Sequence, residues 1–310
     1  MKSILITDSL FIFPKHKQQL KHAGYEVVRL DKPEASEQEL CEAIKGKVGY
    51  ILGGIEKVTD KVIDAADQLE AIIFTGIGFK SMIPGWQHAF DKGIAIGNVP
   101  EGPTQAVAER SIGAALAMNS GFFELARTGN TQFMTTPGLE GQTIGIIGLG
   151  HIGSRIAEIL QLFQPKEILY FSTHHHEDKE QALGLAYSEM DDVLQKSDVV
   201  FLCVPDGVDK PFFAGSQFER MKRGALLVSF MHGGIIDPDV LYKALKSGKV
   251  RAISDYPMDE RFNGFPLSTW YSFNGSNAFN TPGMLELASD EAVRCLLSLL
   301  ATGEDKDKVN

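Results

Sequence analysis

Cysteine is scarce in these 310 residues: Cys41, Cys203 and Cys295 are odd in number, scattered and without a CxxC pair. That excludes a disulfide framework and indicates no zinc site. Long hydrophobic runs are missing as well. No apolar stretch approaches the roughly 20 residues that a membrane-spanning helix needs. The start, MKSILITDSLF, carries one lysine and a short apolar run but no small-residue cleavage pattern, so it reads as a first strand of a cytoplasmic chain. An excess of positive charge is also absent. Thirty basic residues stand against 40 acidic ones, and the net charge of −10 repels polyanions, so neither nucleic acid nor a membrane is expected as a partner. There is no internal repeat and no low-complexity linker. The length suits two domains of ordinary size, and 44% hydrophobic with 23% charged residues is the balance of a soluble globular protein.

What is present is organised around TIGIIGLGHIGSRIAEI, Thr143 to Ile159. The apolar run Ile144 to Ile147 stops at Gly148-Leu149-Gly150-His151-Ile152-Gly153, and behind it Ile152, Ile156 and Ile159 recur at helical spacing. Strand, tight turn and helix follow one another. In that context Gly148 permits the turn, Gly150 lets a pyrophosphate approach the backbone and Gly153 allows close packing of helix on strand. The new helix also directs free N–H groups at the phosphates. An ordinary glycine-rich turn is the alternative reading.

On either side of this loop, strands and helices alternate. Ile4–Thr7, Tyr25–Leu30, Val48–Gly53, Ala71–Thr75 and Ile94–Asn98 read as strands, with helical patterns at Lys15–Ala23, Glu37–Ile44, Asp60–Ala66 and Trp86–Lys92 between them. Such alternation predicts a parallel sheet covered on both faces, with ligands at the carboxyl ends of its strands. Gly76-Ile77-Gly78 follows one of those ends. Its backbone N–H groups are a candidate anion cradle for substrate, with Lys80 in the same loop, and a plain turn is the alternative. Pro100, Gly102 and Pro103 then break the pattern before a long helix, Gln105–Asn119, which reads as a crossing between domains. A second alternation starts at Gly141 and continues through Glu167–Phe171, Val199–Val204, Ala225–Phe230 and Ala252–Asp255. The last helical pattern, Leu285–Leu300, precedes an acidic, lysine-containing tail expected to fray.

In a dinucleotide site a carboxylate about 20 residues beyond the loop holds the adenine ribose of NAD. Here Ser172 stands 19 residues beyond Gly153, followed by Thr173 and His174, with no acid. A carboxylate would repel a 2′-phosphate, whereas hydroxyls donate to one and a protonated histidine adds charge. NADP is therefore the expected cofactor, with NAD as the alternative. His174-His175-His176 could bind a metal, but adjacent residues point in different directions on any regular element, so a solvent-facing loop is the reading adopted.

Together these motifs resemble the D-2-hydroxyacid dehydrogenase family, which includes glyoxylate/hydroxypyruvate reductases, phosphoglycerate dehydrogenases and formate dehydrogenase. The resemblance covers nearly the whole chain: Gly76-Ile77-Gly78, Asn98-Val99-Pro100, Ala106-Val107-Ala108-Glu109, GLGHIG, Val204-Pro205, MHGGIIDPDVLYKALKSGKV, Asp255 and Thr281-Pro282. It implies an α/β protein of two doubly wound parallel-sheet domains. A Rossmann-type dinucleotide-binding domain (100–283) would be inserted into a flavodoxin-like substrate domain (1–99 and 284–310). It also implies a homodimer built through the cofactor domains, a small-molecule substrate, and cofactor contacts at Gly148, Gly150, His151, Ile152, Gly153, Val204, Pro205 and Asp255, the last on the nicotinamide side.

The same resemblance exposes departures. The family's catalytic arginine is matched by His232, directly before Gly233-Gly234; its glutamate is matched by Glu260; its histidine, which follows Thr-Pro, is replaced by Gly283. A hydride delivered to a carbonyl leaves an alkoxide that must be neutralised, and a positioned acid is worth about 10² to 10⁴-fold. Glycine supplies none. His232 can donate a proton near neutrality, with Glu260 as its partner, or it merely satisfies a turn. Lys80 and Glu286 are further candidates, although residues of these types are more often ordinary surface residues. Two readings follow: an NADP(H)-dependent reductase or dehydrogenase with a rebuilt site around His232 and Glu260, or a catalytically inactive dinucleotide-binding homologue that acts as a sensor or structural partner.

Overall fold

The computed structural model describes residues 2–7, 12–32, 34–129, 136–205, 211–231, 234–274 and 278–309. The chain divides into two compact units, Met1–Pro103 with Asn280–Asn310, and Thr104–Phe279. The changeovers expected were 99/100 and 283/284. The first observed changeover lies inside a helix, because Gly102 and Pro103 begin that helix rather than break the pattern. Proline is tolerated in a first turn, where its missing N–H would have had no partner.

Unit 1 runs β1 (Ser3–Thr7), α1 (Pro14–His22), β2 (Glu26–Leu30), α2 (Glu37–Ala43), β3 (Lys47–Leu52), α3 (Asp60–Ala65), β4 (Ala71–Phe74), α4 (Phe79–Met82), α5 (Trp86–Asp91) and β5 (Ala95–Gly97). Its strands are parallel in the order β2-β1-β3-β4-β5. This is the flavodoxin-like order. Leu5, Tyr50, Leu52, Ile72 and Ile96 pack with Leu40 of α2, Val62 and Ile63 of α3 and Ala89 of α5. On the other face Gly49 lies against Leu296 and Leu300 of the last helix. Sheets buried on both faces need apolar residues at every position, which is why these strands read as continuous runs.

Unit 2 contains most of α6 (Gly102–Asn119), then α7 (Phe122–Thr128), β6 (Thr143–Ile147), α8 (His151–Leu160), β7 (Glu167–Phe171), α9 (Glu177–Leu183), β8 (Leu185–Tyr187), α10 (Met190–Lys196), β9 (Val199–Leu202), α11 (Gly215–Arg220), β10 (Ala225–Ser229), α12 (Pro238–Lys246), β11 (Val250–Ser254) and β12 (Trp270–Ser272). Its seven parallel strands lie in the order β12-β11-β10-β9-β6-β7-β8. That is the doubly wound dinucleotide order with one strand added at the edge. Alternate residues feed two cores: Ile144, Ile146, Val199, Phe201, Leu226 and Val228 on one face, Ile147, Val200, Leu202 and Leu227 on the other. The aromatic run Trp270–Ser272 supplies β12, where Trp270 is buried 5.2 Å from Phe262 and Tyr271 stacks on Phe123 at 4.3 Å. Among the described residues no helix is long and apolar enough to cross a membrane.

Unit 1 closes with α13 (Pro282–Thr302), and the tail beyond it does not fray as expected. Val309 N–H donates to Ile96 C=O at 2.9 Å, Asn98 N–H donates to Asp307 C=O at 3.1 Å, and Lys308 forms an antiparallel bridge with Gly97. The tail thus covers the open edge of β5, a position that otherwise presents unpaired backbone groups. Arg294 of α13 reinforces it by donating to Asp305 at 2.5 Å and to Asp307. Both carboxylates are buried, while Arg294 is 41% exposed. Replacing the guanidinium leaves two buried carboxylates short of a partner, so Arg294→Met is expected to lower unfolding free energy by about 1–3 kcal/mol, discounted for the exposure of the arginine. Urea denaturation measures this, and an unchanged midpoint would show that the tail contributes nothing to stability.

Candidate functional site

The glycine loop connects β6 to α8, and each of its glycines has a separate physical reason. Gly148 has φ +100, and a Cβ there would stand 2.4 Å from the carbonyl oxygen of Cys203. Its N–H donates to Phe171 C=O at 2.8 Å, tying the turn to the end of β7. At Gly153 a Cβ would stand 2.1 Å from Gly148 O, so α8 can approach β6 only without a side chain. Gly150, the N-cap of α8, is different: nothing lies within 4 Å of where its Cβ would be. The backbone is bare toward open space there.

That open space is lined by donors. Among the described residues, the N–H groups of Gly150, His151 and Ile152 donate to no protein acceptor. They are the orphan donors of a ten-residue helix, at the end where its dipole is positive. His151 is exposed and Ile152 half-buried against the core. The loop also lies where the strand order reverses, since β6 neighbours both β7 and β9. Val204, buried, and Pro205, exposed, continue the chain from β9 on the other side of that crevice. Cys203 between them and the strand is no nucleophile: burial pushes its thiol up to about 12. A bare backbone, free N–H groups and a switch-point crevice together fit a pyrophosphate.

Beyond β7, Ser172 is half-buried with Oγ 3.5 Å from His176 Nε2, and Thr173 and His174 are exposed. The histidines are not one solvent-facing group. His175 Nε2 meets Glu180 at 2.5 Å, and half-buried His176 donates its N–H to the Tyr170 hydroxyl at 3.0 Å. That hydroxyl in turn donates to Glu180 at 2.6 Å, and burial pushes the phenol up to about 12. Burial, followed by nearby Lys179, holds His176 below the ordinary histidine range.

Lys179 was not among the residues expected from sequence. Its Nζ donates to Ser154 Oγ at 2.9 Å and to Leu149 C=O at 3.2 Å, which places a positive charge on the rim of the glycine loop. In the run HHHEDKEQ it reads as one more solvated charge, and only the course of α9 turns it toward α8.

The nicotinamide-side candidates are arranged less tightly. Asp255, 6% exposed at the end of β11, accepts from Ala278 N–H at 2.8 Å through Oδ2. Glu260 opens a 3-10 turn, Glu260–Gly264, is exposed, and makes no side-chain hydrogen bond or ion pair among the described residues. His232, proposed as its partner, lies outside the described residues, as does Gly233. Gly283 sits in the first turn of α13 with nothing within 4 Å of its Cβ position.

In unit 1, Gly76, Ile77 and Gly78 accept through their carbonyls, from Val99 N–H at 3.0 Å, from Asn98 Nδ2 at 2.9 Å and from Ser81 Oγ at 3.2 Å respectively. Their own N–H groups donate to no protein acceptor among the described residues. The loop is held by its carbonyls and leaves its donors free, as an anion cradle requires. Lys80 is not in this loop. It belongs to α4 and lies over the Trp86 ring, 4.8 Å from its centroid. Glu286 is a surface residue paired with Lys15 at 2.5 Å.

Comparison with known proteins agrees with this geometry. Residues 113–281 match the family model described as "D-isomer specific 2-hydroxyacid dehydrogenase, NAD binding domain". A glyoxylate reductase of Thermofilum pendens is 33% identical over 225 residues, 69% of this chain and 65% of that protein. A D-3-phosphoglycerate dehydrogenase of Archaeoglobus fulgidus is 30% identical over 223 residues, 70% of this chain and 42% of that protein. The chain therefore spans less than two thirds of the length of either relative. Among solved structures, an acyclic imino acid reductase in complex with NADPH and D-Arg superposes with TM-score 0.86 over 100% of both chains at 22% identity, a likeness of fold.

The two inner glycines separate stability from binding. Gly150→Ala is expected to leave the melting temperature unchanged and to weaken dinucleotide binding at least about tenfold, because its methyl enters the phosphate space. Gly153→Ala drives a methyl into a backbone carbonyl and is expected to destabilise by about 1–3 kcal/mol or more. Calorimetry and nucleotide titration of both variants check this; a Gly150→Ala protein that binds normally would remove the phosphate from that space.

Proposed function

The chain belongs to the D-isomer specific 2-hydroxyacid dehydrogenase family, and on that premise we propose that it is an oxidoreductase moving hydride between NADP(H) and a small oxo or hydroxy compound. The observation that carries this reading is the bare, donor-lined backbone at Gly150, together with the absence of a carboxylate at Ser172 and Thr173. Without an acid at that strand end, a 2′-phosphate meets hydroxyl donors instead of like charge. NAD(H) is the alternative cofactor.

When bound, the nicotinamide supplies or accepts the hydride, and the chain supplies the rest. In unit 2, Gly148, Gly150, His151, Ile152 and Gly153 would hold the pyrophosphate, Ser172, Thr173 and His174 the adenosine end, and Val204, Pro205 and Asp255 the nicotinamide side. Unit 1 would be the substrate domain, where the free N–H groups of Gly76, Ile77 and Gly78 can take a carboxylate. A 2-oxo acid is accordingly the first substrate class to test, supported by the glyoxylate reductase name of one relative. His232 is assigned the proton transfer that the family's histidine performs. We further propose a cytoplasmic homodimer paired through unit 2, whose α7 leaves Phe122 63% exposed.

The open Cβ position of Gly283 and the exposure of Glu260 favour a second reading, in which a dinucleotide is bound without turnover. Oxidation of NADPH and NADH, followed by absorbance against a panel of 2-oxo acids, aldehydes and ketones, separates the two. Turnover is expected, with His232→Ala lowering kcat by about 10² to 10⁴-fold. Tight nucleotide binding without turnover of any compound would instead establish the inactive reading.

A further inference from the structure

We propose that Lys179 is the residue that selects NADPH over NADH, by ion-pairing with the 2′-phosphate at the adenosine end of the glycine loop. The inference rests on the dinucleotide reading above and deepens it. A fully exposed ammonium is satisfied by water, whereas one drawn partly out of water against protein needs partners there. Half-buried Lys179 has no carboxylate among the described residues and holds only neutral acceptors, Leu149 C=O and Ser154 Oγ. The acids nearest in sequence are otherwise disposed: Glu177 and Asp178 are exposed in the first turn of α9, and Glu180 already accepts from Tyr170 and meets His175.

Position makes this uncompensated charge informative. Leu149 lies in the turn and Ser154 in the first turn of α8, so Nζ stands against the glycine loop, which it reaches from the helix that follows β7. The adenine ribose of a dinucleotide is bound between that loop and the end of β7. A phosphate there would exchange two neutral contacts for a charge-assisted one, while the Ser154 hydroxyl keeps its own donation to Leu149 C=O at 3.2 Å. NADH offers no group to drive that exchange. Arginine, the stronger phosphate partner, is absent from the strand end, and Lys179 enters from the following helix instead.

The test titrates NADPH and NADH fluorescence with the full-length protein, Lys179→Gln and Lys179→Arg at fixed ionic strength, with 2′-AMP and 5′-AMP as competitors. The ratio of the NADH to the NADPH dissociation constant is expected to fall about ten- to hundredfold in Lys179→Gln and to be largely kept in Lys179→Arg. Competition by 2′-AMP should weaken in the glutamine variant more than competition by 5′-AMP. An unchanged ratio would overturn the proposal. So would equal weakening of both nucleotides, which would make Lys179 a brace of the loop. If the unaltered protein binds neither nucleotide, the dinucleotide reading itself fails, an outcome distinct from either.

Discussion

The contact on which the candidate site depends is the approach of α8 to β6, backbone against backbone. A Cβ at Gly153 would meet Gly148 O at 2.1 Å, and one at Gly148 would meet Cys203 O at 2.4 Å. Three chain segments therefore converge with no side chain between them. This closeness brings the end of β6, the first turn of α8 and the end of β9 to one place. The free N–H groups of that first turn then open onto the crevice created by the reversal of strand order. Any bulk at either glycine would push the helix out and disperse the donors.

Unit 1 uses the same parallel architecture with a different economy of hydrogen bonds. Its Gly76–Gly78 loop is restrained through carbonyls accepting from Val99, Asn98 and Ser81. The result again is backbone N–H groups with no protein acceptor among the described residues, at the carboxyl end of a parallel sheet. Neither cradle needs a charged side chain to attract an anion, because oriented peptide dipoles do so. The cations nearby are engaged in other ways: Lys80 on the face of Trp86, Lys179 on a carbonyl and a hydroxyl.

The strands and the glycine loop were legible in the sequence because their signals are local. A strand buried on both faces shows as an apolar run, and Gly148, Gly150 and Gly153 have the fingerprint spacing between a strand and a helix. The readings that went astray failed for two reasons, a partner distant in the chain or an element too short or too permissive to leave a pattern. The tail looked soluble and unstructured, yet Asp305 and Asp307 meet Arg294 and the backbone of β5 is its partner. Lys80 looked like part of a loop because the four-residue helix α4 has too few turns to show periodicity. Pro103 looked like a breaker, although in a first turn it is not one.

The amino-acid sequence by itself determined the parallel α/β plan, the place of the glycine loop and the absence of an acid at the end of β7. Each of these follows from residue type and spacing within one short stretch. Only the tertiary structure decided which charges stand at that loop and which do not. Lys179 reaches Leu149 across 30 residues of chain, whereas Glu260, only five residues beyond Asp255, points no described contact toward it. The reason is that a side chain's partner is set by how helices lie on a sheet, and separation along the chain carries little information about that packing.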